Sequence, residues 1–261
     1  MKQLKLFILI FLFISMAACS KWSSTDDEGL NGPFKGMSAK ELYSKSKEAL
    51  AKKQYESAIK RLEALDTMYP FNDHAEQAQL DLMYAYYQNE NYPSAAATAE
   101  RFIHLYPRSK RVDYAYYMKG LANFQQPRGT FTKFFSIEES WRDPGTQLQA
   151  YSDFATLVQQ FPESRYKANA LQRMIYLRNE FAKHELNVAN YYYDRRMYVA
   201  AAERANYLIE TYPEAPSTQA ALVIAYHANK SLGLNDAAED ALKVYQATYH
   251  ANPPRVEEIT A

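Results

Sequence analysis

The sequence predicts an all-α fold built from repeated pairs of helices, and three observations carry that prediction. Amphipathic stretches alternate with short breaks along most of the chain. A Tyr-Pro or Phe-Pro step closes four of them, at Pro70, Pro107, Pro162 and Pro213. Each of these prolines is preceded at one fixed distance by an alanine: Ala58, Ala95, Ala150 and Ala201. A proline disfavours helical geometry at the residue before it, so each step ends a helix. Composition agrees, since 48% hydrophobic residues over 261 positions can fill a sizeable core. Only 7 glycines are present, too few to suggest the phosphate-cradling loops that need several in one tight run.

The stretch from Arg61 to Gln88 sets the template. Ala58, Leu62 and Leu65 form an apolar stripe at i, i+4 and i+7, and Pro70 stops that helix. Asp73 with Glu76 offers a capping box for the next one, in which Leu82, Ala85 and Tyr86 share a face. This order of large, small and aromatic residues, followed by Ala, a bulky residue and Pro, is the tetratricopeptide pattern. Pro107 places Tyr92 and Ala95; Pro162 places Ala150, Phe154 and Leu157; Pro213 places Tyr192, Tyr198 and Ala201. A last copy has Ala237 and Ala241 and no closing Pro. The marker alanines Ala58, Ala95, Ala150, Ala201 and Ala237 are 37, 55, 51 and 36 residues apart, against about 34 in the ideal repeat, so two repeats are expanded. The alternative is that such alanines are core spacers of an irregular helical domain. The predicted fold is thus a tetratricopeptide-repeat solenoid of about five helix pairs. It has an inserted loop in the third and an extended helical segment before the second helix of the fourth.

In chain order, residues 1–18 read as an export signal: Lys2 and Lys5 precede an apolar run shorter than the roughly 20 residues of a membrane-spanning helix. The run ends in Met16, Ala17, Ala18 and Cys19, which resembles a lipoprotein box. Cys19 is the lipidation candidate, to carry diacylglycerol and an N-acyl chain. Being the only cysteine in the chain, it leaves no disulfide and no thiolate metal cluster to form. Ser20, where inner-membrane lipoproteins commonly carry Asp, favours the outer membrane by resemblance. Residues 19–37 are polar, without apolar periodicity, and are expected to be a tether.

Residues 38–252 are expected to hold the repeats, in an N-terminal half of about 38–126 and a C-terminal half of about 143–252. Ser38 with Glu41 makes a capping box, and helices follow at roughly 39–52, 54–68, 73–90 and 93–106. Gly120 is the small residue that lets paired helices approach. Residues 127–142 form the insert, whose Phe131, Phe134, Phe135 and Trp141 either pack back on the repeats or meet a partner. Asp143 and Pro144 then start a helix. Glu163 to Arg195 holds no Pro or Gly and reads as one long helix, or two with a break near Lys183. Asp236 with Glu239 opens the last helix, and 253–261 is expected to be a loose tail.

Chemistry is sparse. The five histidines share no i, i+4 spacing suited to a metal, and Val188 stands where an HExxH motif starting at His184 needs its second histidine. No catalytic or metal-binding set emerges, no cofactor is called for, and a formal charge of zero advertises no nucleic-acid surface. In tetratricopeptide repeats the first helix of each pair lines the concave face, which makes Tyr43, Tyr84, Tyr87, Tyr114, Tyr117 and Phe124 candidates for a client-peptide groove. Aromatic side chains there would offer large contact area at low entropic cost.

The runs QLDLMYAYYQN, LEALDTMYPF and DYAYYMKGL, with the insert ending in RDPG, resemble the BamD family, the lipoprotein subunit of the outer-membrane β-barrel assembly machinery. The likeness covers nearly the whole mature chain. It implies a non-catalytic scaffold whose N-terminal repeats face unfolded outer-membrane proteins and whose C-terminal repeats dock the BamA barrel subunit, with BamC and BamE as further lipoprotein partners. By position, Arg204 matches a basic residue of the BamA-facing half. The rival is a cell-envelope repeat lipoprotein that scaffolds peptidoglycan or division proteins.

Overall fold

The computed structural model describes residues 32–126 and 145–259. Eleven α-helices lie among them, preceded by a 3-10 turn at Gly32–Phe34: α1 (Ala39–Ala51), α2 (Tyr55–Met68), α3 (Ala75–Gln88), α4 (Tyr92–Leu105), α5 (Val112–Gln125), α6 (Gly145–Gln160), α7 (Lys167–Asp194), α8 (Tyr198–Thr211), α9 (Thr218–Ser231), α10 (Asn235–Tyr249) and α11 (Val256–Ile259). They form two compact units, divided within α3 after Ala78. Cys19 and the 127–142 insert, with Asp143 and Pro144, lie outside the described residues.

In the first unit α1 packs on α2, and Leu42, Ala58, Leu62 and Leu65 are fully buried. The expected capping box starts α1: the Ser38 hydroxyl accepts from the Glu41 N–H at 3.3 Å, and the Glu41 carboxylate accepts from the Ser38 N–H at 2.9 Å. The Tyr69 hydroxyl donates to the Met37 carbonyl at 2.8 Å, so the last residue of the predicted tether is already fastened to this unit. At the turn into α3, Asn72 does the holding. Its side chain donates to the Tyr69 carbonyl at 2.6 Å and accepts from the His74 N–H at 2.7 Å.

Two backbone turns recur with the repeat. Between the helices of a pair, Lys53, Glu90, Arg196 and Gly233 each take positive φ (56°, 58°, 60° and 74°). The following N–H reaches five residues back, from Gln54 to Ala49, Asn91 to Tyr86, Met197 to Tyr192 and Leu234 to Asn229, at 2.9 to 3.0 Å. This is the Schellman ending, in which a left-handed residue lets the chain satisfy carbonyls that the helix leaves open. Between pairs, the N–H two residues after each proline returns to the carbonyl before it: Asn72 to Tyr69, Ser109 to Tyr106, Ser164 to Phe161 and Ala215 to Tyr212. Ala58, Ala95, Ala150 and Ala201 are all fully buried.

The last repeat corrects its marker. Gly233 stands five residues before Ala238, as Lys53, Glu90 and Arg196 stand before Ala58, Ala95 and Ala201. Ala238 is buried and Ala237 is exposed. His250 therefore occupies the proline place and ends α10 in the left-handed conformation. The cap of α10 is Leu234 without a side-chain bond, so Asp236 sits inside the first turn instead of opening a capping box. The tail is also corrected. Val256 is 3% exposed, α11 packs on α9, and the Pro254 carbonyl lies 2.7 Å from His227 Nε2.

In the second unit α4 packs on α5, α5 on α6, α6 on α7, α7 on α8, α8 on α9 and α9 on α10. The long segment is one unbroken helix of 28 residues, where α5, α8 and α9 have 14 each. Fourteen extra residues make about four turns, so the added length leaves its buried face nearly in phase. The core divides along this helix. Leu80, Phe102, Phe154, Leu177 and Phe181 belong to one hydrophobic cluster; Ala182, Ala189, Leu208, Ile224 and Tyr245 belong to another. Tyr212 packs against both.

Candidate functional site: an aromatic and basic face on the first helices

The face is assembled on the first helices of successive pairs. Tyr114 and Tyr117 are one turn apart on α5, and both meet Tyr166 just ahead of α7. Tyr117 stacks on it at 4.6 Å and 15°, while Tyr114 is tilted at 5.6 Å. The Tyr117 hydroxyl donates to Asn169 Oδ1 at 2.9 Å, and Arg173 Nε donates to the same oxygen at 2.8 Å. Arg165 lies over the Tyr166 ring at 4.9 Å. Asn169 has the repeat position on α7 that Tyr114 has on α5, each seven residues after its proline.

Of the other groove candidates, Tyr84 is 38% exposed on α3, and Tyr87 is half-buried, edge-on to Tyr92 at 5.6 Å. Tyr43, in the first unit, stacks on His74 at 4.3 Å and 14°. Phe124 is corrected: at 5% exposure it is core, edge-on to Tyr176 at 5.8 Å and covered by Arg173 at 4.8 Å. A bulky apolar side chain at the inner end of α5 is worth about 1.5–3 kcal/mol buried, and that outweighs display. Burial pushes the Tyr114 and Tyr117 phenols upward, so both remain neutral hydrogen-bonding groups at physiological pH.

Sequence reasoning missed Tyr166, Asn169 and Arg173, which supply half of this face. The shared offset from the proline step was the available signal for Asn169. The arginines carried none, because a helix-surface arginine reads as solvated until its neighbours are placed.

Where α5 meets the second helices α4 and α6 lies a buried polar node. Asp153 is 4% exposed; its carboxylate accepts from Asn123 at 2.7 Å, Gln149 at 3.1 Å and Lys119 at 3.2 Å, and Lys119 also binds Glu100. Burial holds Asp153 above the usual carboxylate range despite these donors. Further along, Arg204 on α8 pairs with Glu185 on α7 at 3.1 Å and is half exposed. Among the described residues no group of three or more His, Cys, Asp or Glu could hold a metal, and no helix is long and apolar enough to cross a membrane.

Paired helices in tetratricopeptide register, bearing a tyrosine face edged by arginines, define a helical-repeat scaffold. Comparison with known proteins gives the particular family. The family model YfiO, described as outer membrane lipoprotein, matches residues 35–244. The outer membrane protein assembly factor BamD of Vibrio cholerae is 39% identical over 206 residues, covering 79% of this chain and 86% of its own. That of Neisseria meningitidis serogroup A is 34% identical over 249 residues, covering 95% and 92%, and that of Haemophilus influenzae is 32% identical over 247, covering 95% and 91%. A solved tetratricopeptide repeat protein from Parabacteroides merdae aligns over 80% of this chain and 78% of its own, at 16% identity and a TM-score of 0.37. The chain belongs to the BamD family of outer membrane lipoproteins.

Proposed function

We propose that this outer membrane lipoprotein is a non-catalytic assembly factor of the Bam complex that presents unfolded outer-membrane proteins to a BamA-type barrel subunit. Family membership over nearly the whole chain carries the reading. Cys19, lipidated, confines the repeats to the membrane. The tyrosine face of Tyr84, Tyr87, Tyr114 and Tyr117 takes the aromatic end of a client segment, and Tyr43, in the first unit, is a separate client contact. The C-terminal half, about 143–252, with Arg204 on its surface, docks the barrel subunit, and BamC and BamE join as further lipoprotein partners. Confinement raises the effective concentration of clients near the barrel without strong intrinsic affinity. What supports the client role is that Tyr114, Tyr117 and Tyr166 form a pre-stacked wall with arginines at its edge, so little ordering is left for binding.

The test is affinity capture of the tagged, membrane-extracted protein followed by mass spectrometry. Recovery of a large barrel protein with periplasmic repeats is expected; peptidoglycan enzymes without a barrel subunit would overturn the reading. For the client face, Tyr84→Ala with Tyr87→Ala should reduce crosslinking to a peptide ending in an aromatic residue. Unchanged crosslinking would remove these residues from the site.

A further inference from the structure

Beyond α10 the chain folds back onto its own last helix pair. His250 ends α10, Pro253 and Pro254 keep the backbone out of a helix, and α11 adds a single turn. Gln246 on α10 donates to Asn252 Oδ1 at 2.8 Å. Two contacts then fasten the segment to α9 and its core. His227 Nε2 lies 2.7 Å from the Pro254 carbonyl, and a carbonyl only accepts, so this nitrogen carries the proton and donates. Val256, two residues on, is 3% exposed and belongs to the cluster of Leu208, Ile224 and Tyr245, against which Ile259 packs. Burial raises the Tyr193 phenol on α7, and Tyr198 and Glu257 add to it, so α11 reaches toward α7 as well.

This fastening is slight for the length of chain it holds. Asn252, Arg255, Glu257 and Glu258 are exposed, and Arg255 pairs within the segment, with Glu258 at 3.0 Å. One buried aliphatic side chain and one hydrogen bond from α9 stand against the entropy of ordering residues 252–259, so docked and released states lie close in free energy. The surface beneath is of another kind. Leu222, Val223, Ile224 and Ala225 are all buried, and four consecutive residues point to every side of a helix. The helices α7, α8 and α10 pack on α9, and α11 covers a further part of it. Release of the segment therefore opens an apolar notch beside an imidazole N–H, while the helix pairs stay in place.

We propose that the notch on α9, between His227 and the cluster of Leu208, Ile224 and Tyr245, is a peptide-binding site, and that residues 252–259 are a releasable strap that fills it. Its ligand is a partner polypeptide segment with the strap's own chemistry. A proline supplies the carbonyl that accepts from His227, an aliphatic side chain two residues later takes the place of Val256, and the extended backbone between costs little to order. The strap is tethered and competes at high effective concentration, so a partner segment enters only by displacing it.

Two measurements on the full-length protein test this. Trypsin cuts after Arg255 when the strap is released. Cleavage there should be slower than in a synthetic peptide of residues 250–261 and faster than after Lys119 on α5, a 17% exposed side chain that is reached only when the core opens. In the second measurement the same peptide, labelled with fluorescein, is titrated against the parent and against Val256→Asp. The variant frees the notch, so the peptide should bind it about tenfold more tightly than the parent. Val256→Ala should act in the same direction to a smaller extent. Placing Val256→Asp in the peptide, or adding His227→Phe to the variant protein, should abolish most of this binding with circular dichroism unchanged. Cleavage after Arg255 as fast as in the free peptide would mean that the strap is not docked, and cleavage no faster than after Lys119 would make it a fixed part of the core. Equal binding to parent and variants, or none to either variant, would overturn the site.

Discussion

Gly120 on α5 lies so close to Phe154 on α6 that a β-carbon on residue 120 would stand 2.6 Å from Cε1 and 2.7 Å from Cδ1 of the ring. Phe154 is fully buried, so the ring has no free direction in which to move. Gly120→Ala gains up to about 1 kcal/mol of helix propensity. It loses about 1–3 kcal/mol to overpacking. A net loss of about 1 kcal/mol is expected in urea unfolding. Adding Phe154→Leu should recover part of it, and an unaltered midpoint for Gly120→Ala would show that the helices can separate freely.

Arg196 and Gly233 occupy the same left-handed turn in successive repeats. A side chain at positive φ costs about 1–2 kcal/mol. Nothing lies within 4 Å of a β-carbon placed on Gly233, so backbone strain alone sets the effect there. Gly233→Ala is expected to lower stability by about 1 kcal/mol and Arg196→Gly to raise it by somewhat less, given the added entropy of an unfolded glycine. Opposite signs in thermal unfolding would confirm that the two positions are equivalent.

Helix boundaries were legible because they rest on local chemistry. The Tyr-Pro steps, the Ser38 box and the marker alanines each act over a few residues, and the structure places them where periodicity did. Ala237 was misplaced because two adjacent alanines both fit the spacing, and only the positive φ at Gly233 fixes the register at Ala238. The tail was misread because Pro253 and Pro254 argue against a helix and say nothing against docking; Val256 finds its core on α9. At the candidate face, the tyrosines could be read from the first-helix rule. Separating Phe124, which is core, from Tyr117, which is wall, required the neighbours Arg173 and Tyr166. Those neighbours are brought together across 49 residues of chain or more, a separation that sequence periodicity does not span.

Lys119 offsets part of the burial that raises the Asp153 carboxyl. Removing it by Lys119→Met leaves a 4% exposed carboxylate with only amide donors, Asn123 and Gln149. Breaking such a pair typically costs about 3 kcal/mol. Asp153 is already held above its ordinary value by burial, and loss of the ammonium raises it further. In the folded variant the carboxyl therefore binds its proton at higher pH than in the unfolded chain. The penalty is full above the raised value and falls as pH drops through it. Glu100 behaves oppositely in the parent: its hydrogen bond with Lys119 holds it below the usual range, so its contribution is present above about 4.5 and is lost below that. Both effects shrink the difference between variant and parent in acid. Urea midpoints at pH 7 and pH 4.5 should show a large gap that narrows; a gap independent of pH would mean that Lys119 acts through packing alone.

Arg204 and Glu185 are joined across α7 and α8 at 3.1 Å, with Glu185 14% exposed and Arg204 half exposed. Arg204→Glu sets two carboxylates against each other. A stability loss of about 1 kcal/mol is expected, since an exposed partner keeps the pair near the surface range. The double variant Arg204→Glu with Glu185→Arg restores opposite charges, so folding should recover. If the guanidinium itself meets the barrel subunit, recovery of that subunit in affinity capture should stay low in both variants. If Arg204 serves only to fix α8 on α7, the double variant should regain binding along with stability. Stability and capture then separate the two roles, because the charge swap repairs the ion pair without returning a cation to position 204.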